Sequence, residues 1–361
     1  MYKSCEGINQ FMMFLVSGLY EDGITIGFCC VGSTYAGHRV PGIKFDETPE
    51  KTLDSFTRLR ERLLTEASAP RRTTNGERLS SLCEGCVGYK ESKWEPSKKI
   101  GVVSFNIYPS PCNIKCIYCY SCINHHTYQN HKFVHELHGP LYEKYFELLE
   151  YARGNGFIEK NAGYEVAVGE ITVHPYRDRI LDFVKGQATY YLTNCVIYDD
   201  RIAENLASNG LAYILTSLDA GTAETWLRVK GADCFDKTVS SIEKYCKKAI
   251  HPKQVMVKYI MQPGVNTNAK DYEEVAKLVQ RLGINRVRIS DDVTVRDQVR
   301  LTESVLAAGD FLAVLQSHGI EADFDVFNTA ALQRIKAIAH GKLLLSGNTP
   351  KPAWMASIEG K

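Results

Sequence analysis

From residue 100 onward the chain alternates short apolar segments with amphipathic ones, and this limits its fold more than any other feature. Residues 102–107, 164–168, 189–193, 211–217, 254–261 and 286–290 read as strands, because they are short apolar runs rich in β-branched and aromatic side chains. Helical patterns fall between them at 141–152, 177–185, 200–208, 223–229, 237–248 and 271–282, and two longer helices are expected at 300–318 and 329–344. Strands separated by helices predict parallel βα units, hence an α/β fold. An open sheet and a curved, incomplete barrel share this pattern.

Residues 1–98 read differently. A strand-like segment at 24–28 ends at Cys29 and Cys30, and a helix is expected over 49–66, where Leu53, Phe56, Leu59 and Leu63 form one apolar stripe. A polar, basic stretch at 68–78 reads as a loop, Cys83 and Cys86 follow it, and the turn-rich segment 91–99 marks the boundary. The expected organisation is a cysteine-rich N-terminal region at 1–98, a βα region at 99–291 and a helical region at 292–361. The 43 basic and 42 acidic side chains leave a net charge of +1, which speaks against a nucleic-acid partner or an anionic membrane surface. The apolar run at 11–16 is far shorter than the ~20 residues needed to cross a bilayer. It lacks the basic lead-in of a signal peptide, so the chain reads as cytoplasmic.

Cysteine is the unusual component. Nine of the 12 cysteines lie in the first 122 residues, a clustering that points to metal or redox chemistry rather than disulfides. Cys112, Cys116 and Cys119 form a Cys-x3-Cys-x2-Cys run in a loop after the first βα strand, kept irregular by Pro109, Pro111 and Asn113. Three thiolates suit a cubane iron–sulfur cluster with one iron left open to a further ligand. With Cys122 as a fourth ligand, structural zinc is the alternative, and the chain would then be a non-catalytic zinc or iron–sulfur interaction module.

The run Cys112-x3-Cys116-x2-Cys119, with Tyr118 before the third cysteine, resembles the cluster-binding signature of the radical S-adenosylmethionine (radical SAM) superfamily. The resemblance covers roughly residues 100–290. It implies a partial (β/α)6 TIM-like barrel with a cysteine-rich N-terminal extension and C-terminal helices. It also implies a 4Fe-4S cluster on the three cysteines, S-adenosylmethionine on the open iron, and Tyr118 near the adenine. Gly169-Glu170 is similar to the family's Gly-Gly-Glu-Pro segment, which binds the cofactor's amino group, although Val168 replaces one glycine and Ile171 the proline. The third strand ends in Asn194. By the same resemblance Ser217 at the end of the fourth strand contacts the cofactor, Asp219 lies near the site, and Lys258 on the fifth strand meets the cofactor's carboxylate. Read from the residues alone, Glu170 is a solvated strand-end carboxylate, Lys258 an ordinary strand lysine, and Thr222 a helix cap with Glu224 in its first turn.

Cys83-x2-Cys86, with Cys5 and one of Cys29 and Cys30, forms a candidate ligand set for a second, auxiliary cluster; strand alternation turns Cys29 and Cys30 to opposite faces. Cys195, directly after the third strand, is the candidate hydrogen-atom donor to a substrate radical. Cys234 and Cys246 read as small buried residues. The resemblance implies an enzyme that cleaves S-adenosylmethionine reductively and abstracts hydrogen from a peptide, a sugar or another small metabolite. A reductant such as flavodoxin or ferredoxin would supply the electron.

Overall fold

The computed structural model describes residues 2–4, 9–14, 26–28, 42–68, 90–92, 99–105, 111–119, 131–167, 169–292 and 298–345. The chain divides into two compact units, one formed by Met1–Asn113, Ser121–Thr193 and Asp199–Ile214, the other by Ile114–Tyr120, Asn194–Tyr198 and Leu215–Lys361.

The first unit holds β1 (Tyr2–Ser4), β2 (Phe11–Phe14), β3 (Ile26–Gly27), β4 (Gly42–Ile43), α1 (Pro49–Ser68), β5 (Lys90–Ser92), β6 (Ile100–Phe105), α2 (His131–Gly154), β7 (Ile158–Val166), α3 (Arg177–Phe183), β8 (Ala188–Leu192) and α4 (Asp200–Ser208). β6, β7 and β8 pair in parallel, as the alternation predicts. The stripe of Leu53, Phe56, Leu59 and Leu63 on α1 is buried. The sequence pattern did not suggest that β2 pairs in parallel with β6, or that β3 and β4 continue outward from β2 in antiparallel order. The N-terminal region thus adds strands to the sheet. β1 and β5 form a separate antiparallel pair.

The division between the units falls inside β9 (Tyr213–Ser217). The second unit continues with α5 (Ala223–Lys230), α6 (Phe235–Lys248), β10 (Val255–Ile260), α7 (Ala269–Arg281), β11 (Arg286–Ser290), α8 (Gln298–Ser317), β12 (Glu321–Asp325) and α9 (Thr329–Leu345). β10, β11 and β12 pair in parallel, with β9 beside β10. Val257, Tyr259, Val287 and Ile289 are buried on these strands, and the Tyr259 and Tyr272 rings pack on Phe311 of α8 at 4.6 and 4.9 Å. Alternation of the strand side chains leaves Lys258, Arg286 and Arg288 on the opposite face.

The region after residue 291, expected to be helical, contains β12 between its two helices. Its sequence, Glu-Ala-Asp-Phe-Asp, has three acidic residues in five and no β-branched one, which hides it from a propensity reading. Cross-strand charge pairing accounts for it: Arg286 meets Glu321 at 2.6 Å, Arg288 meets Asp323 at 2.9 Å, and Lys258 meets Asp325 at 2.8 Å.

One carboxylate fastens the β9–α5 turn to α7. Asp271, in the first turn of α7 and buried, accepts hydrogen bonds from the Gly221 N–H (3.0 Å), Thr225 Oγ1 (2.6 Å) and Asn268 Nδ2 (2.7 Å). A Cβ on Gly221 would lie 2.3 Å from the Asp271 carbonyl oxygen, so only glycine permits this approach. Thr222 caps α5 by accepting from the Thr225 N–H, with Glu224 in the first turn, as expected.

Removing the Asp271 carboxylate leaves the buried Thr225 hydroxyl and the half-buried Gly221 N–H without this acceptor and takes a negative charge from a helix N-terminus. Asp271→Ala is expected to cost about 3 kcal/mol in urea unfolding, and Asp271→Asn, which keeps one acceptor oxygen, about half of that.

Candidate functional site

The second half of the cysteine loop docks on the end of α5. A helix leaves its last carbonyls without intrahelical partners. Here the Val229 carbonyl accepts from the Ile117 N–H at 2.9 Å and the Lys230 carbonyl from the Lys115 N–H at 2.8 Å. Gly231 follows with a left-handed φ of 64°, and a Cβ there would lie 2.9 Å from the Lys115 carbonyl oxygen. The Cys119 N–H closes a turn on the Cys116 carbonyl at 3.0 Å.

Side chains complete the anchorage. Tyr118 Oη donates to Asp219 Oδ2 at 2.5 Å, and Lys230 Nζ donates to both Tyr118 Oη, at 2.5 Å, and the same carboxylate oxygen. Asp219 and Lys230 are 0% and 1% exposed, an ion pair withdrawn from water. The other carboxylate oxygen accepts from the Ile260 N–H at 2.6 Å, so both oxygens are engaged. Asp219 has φ 55°, in the left-handed region that few residues other than glycine adopt. Asn266 supports it by donating to the Asp219 carbonyl at 3.0 Å and the Ile260 carbonyl at 2.9 Å.

Burial pushes the Cys116 thiol pKa up, with smaller upward pushes from Cys119 and Asp219; the Lys230 cation and the Tyr118 hydroxyl work the other way. Burial, followed by the Asp219 charge, holds the Tyr118 hydroxyl well above its usual range. The adjoining thiols of Cys116 and Cys119 have the donor chemistry of an iron–sulfur site. Cys112, Cys116 and Cys119 are half-buried and form no disulfide; Cys112 belongs to the first unit, and among the described residues no three His, Cys, Asp or Glu side chains gather as a metal-binding group.

In the first unit, Glu170 is 0% exposed, which corrects its reading as a solvated carboxylate. It caps a short 3-10 turn, Ile171–Val173, and accepts from the Thr172 N–H (3.0 Å), Thr172 Oγ1 (2.8 Å) and Thr193 Oγ1 (2.9 Å). Its own N–H donates to the Pro111 carbonyl at 3.0 Å, which fixes the residue before Cys112 beside it. Gly169 is exposed with φ 38°. Nearby, the Tyr176 N–H donates to His174 Nδ1 at 3.1 Å, which places the imidazole proton on Nε2, facing Tyr142 Oη at 2.6 Å.

The remaining expected residues fall as follows. Asn194 accepts from the Val196 N–H at 3.0 Å, and Cys195 beside it is buried with φ 56°. Ser217 is half-buried at the end of β9, and Lys258 is paired with Asp325. Cys5, Cys29, Cys30, Cys83, Cys86 and Cys122 lie outside the described residues. The sequence reading missed Lys230, Asn266 and Asp271. Lys230 precedes a helix-ending glycine, where a lysine ordinarily reads as a solvated C-terminal charge.

No family model and no curated protein matches the chain. Among solved structures it is similar to Streptococcus suis SuiB (12% identity, TM-score 0.45), over 66% of this chain and 51% of that one. It therefore spans about half the length of that protein. It is also similar to a radical SAM methyltransferase from Sphaerobacter thermophilus (16%, TM-score 0.40, 82% and 86% of the two chains) and to methylornithine synthase, PylB (12%, TM-score 0.39, 73% and 86%). No described helix is long and apolar enough to cross a membrane.

Lys230→Ala leaves Asp219 charged and buried without its cation, which is expected to cost about 3–5 kcal/mol in denaturant unfolding. The double variant Lys230→Met/Asp219→Asn, which removes both charges, is expected to lose markedly less. Equal losses would show that the pair contributes nothing as a pair.

Proposed function

We propose that this chain is a radical SAM enzyme, holding a 4Fe-4S cluster on Cys112, Cys116 and Cys119 and binding S-adenosylmethionine beside it. One observation carries the reading: each end of the cysteine loop is tied to one of the two strand-end acids that the resemblance assigns to the cofactor site. The Glu170 N–H bonds the Pro111 carbonyl, and the Asp219 carboxylate bonds the Tyr118 hydroxyl. When bound, the cluster would supply one electron to the cofactor's sulfonium, giving a 5′-deoxyadenosyl radical that takes hydrogen from the substrate.

The chain's own residues bind and orient. Glu170, aligned by Thr172 and Thr193, accepts the cofactor's ammonium. Ser217 contacts the methionine or ribose, and Asn194 is a further cofactor-binding residue. Asp219 acts through Tyr118, because its charge is already matched by the buried Lys230 ammonium. Its role is to hold the loop rather than to touch the cofactor. Lys258 is committed to Asp325, so its part at the cofactor's carboxylate requires exchange of that partner. A peptide, a sugar or another small metabolite is the substrate class, and Cys195 is the candidate hydrogen-atom donor. Cys5, Cys83, Cys86 and one of Cys29 and Cys30 are the candidate ligands of an auxiliary cluster, with flavodoxin or ferredoxin as the reductant.

Anaerobically reconstituted protein is expected to be brown, to hold about four irons per chain or about eight with a second cluster, and to release 5′-deoxyadenosine with S-adenosylmethionine and dithionite. Cys116→Ala is expected to abolish the release, and Glu170→Gln to weaken cofactor binding by about tenfold or more. Colourless protein holding tetrahedral zinc and releasing no 5′-deoxyadenosine would overturn the proposal.

A further inference from the structure

The second unit carries a groove that the site above does not use. It has a volume of about 780 Å³ and runs between β12, α8 and α9. Leu312, Ile320, Phe324 and Leu343 supply its apolar floor. Four consecutive residues of β12, 321–324, line it. A strand turns successive side chains to opposite faces, so four in a row meet one groove only where the groove runs along the strand's edge.

β12 is the last strand of the sheet among the described residues. Its ladder phase follows from one bond: the Glu321 N–H donates to the Asn285 carbonyl at 2.9 Å. In a parallel ladder alternate residues bond the same neighbour. Glu321, Asp323 and Asp325 therefore turn their backbone groups toward β11, and Ala322 and Phe324 turn theirs outward, into the groove. Such an edge is a template for a further strand.

Charge selects the occupant. The acidic row on β12 is already neutralised by Arg286, Arg288 and Lys258. The facing helix α9 carries Arg334, Lys336, His340 and Lys342 and no acidic residue. Lys342 is paired with Asp310 at 2.7 Å, whereas Lys336 and His340 are exposed on the groove, one helical turn apart, with no carboxylate partner among the described residues. The wall is apolar below and cationic at the rim.

We infer that the β12 edge is a docking site for an extended acidic peptide, which adds as a strand to Ala322 and Phe324, seats apolar side chains in the groove and turns carboxylates to Lys336 and His340. The inference stands apart from the radical chemistry, because its test reads binding alone.

The probe is a fluorescein-labelled octapeptide of alternating valine and glutamate, blocked at both ends and titrated by anisotropy against the full chain. Saturable binding is expected, with slowed amide exchange at Ala322 and Phe324. The valine–lysine counterpart is expected to bind at least ~10-fold more weakly, as is the Lys336→Glu/His340→Glu variant with the acidic probe. Ala322→Pro removes an outward N–H that has no acceptor among the described residues, a substitution edge strands tolerate. It is expected to abolish binding with no shift in the thermal midpoint; should it unfold, the charge-reversed variant carries the test. Equal binding of the two peptides, no saturation up to millimolar protein, or full binding by these variants overturns the proposal. Self-association abolished by Ala322→Pro, with no peptide bound, would assign the edge to a second copy of the chain.

Discussion

The buried pair of Asp219 and Lys230 sets the terms for the second unit. Two opposite charges withdrawn from water are tolerated only where their geometry is good and the remaining polar positions are filled. Both conditions hold here: one Asp219 oxygen takes Lys230 and Tyr118, and the other takes the Ile260 N–H. The pair thereby joins the turn after β9, the end of α5, the end of β10 and the cysteine loop. Asn266 reinforces the same junction by bonding the Asp219 and Ile260 carbonyls together.

The loop itself has little regular structure, and its conformation is borrowed from its surroundings. Its backbone completes the carbonyl ladder of α5, its tyrosine ends on a buried carboxylate, and its first residues hang from the Glu170 N–H. Glu170 is in turn held by two threonines from different segments, one in the turn after β7 and one just after β8. At Glu170 threonine side chains do this work. They are short, neutral and able to order a carboxylate without cancelling its charge.

The elements that could be read from sequence are those whose pattern and environment agree. β7, β8, β10 and β11 bury alternate residues over most of their length, and α7 is amphipathic because one face is buried. β12 escaped notice because ion pairs, not apolar burial, hold its polar face. β2 escaped because a four-residue apolar run does not specify its partner, and pairing with β6 is a non-local choice. Lys230 and Asp271 look in sequence like ordinary helix-end charges, and their burial follows from partners earlier in the chain: Tyr118 and Asp219 for Lys230, and Gly221 and Thr225 for Asp271. For Glu170 the residue was visible and the environment was not: the neighbouring sequence does not reveal that Thr193 reaches across to it. The three cysteines and Tyr118 were legible because their spacing is itself the signal.

Asp219 answers two demands at once, and few residues meet both. Its backbone sits where glycine or asparagine would rest with little strain, while its side chain must be an anion of one particular length. Glycine or asparagine would relieve the backbone and forfeit the charge. Glutamate would keep the charge, add a methylene and leave the strain in place. The position therefore has no conservative neighbour: drift there requires a coordinated change at Lys230. A charge-removing change at either of these two sites, 11 residues apart in sequence, strands the charge of the other.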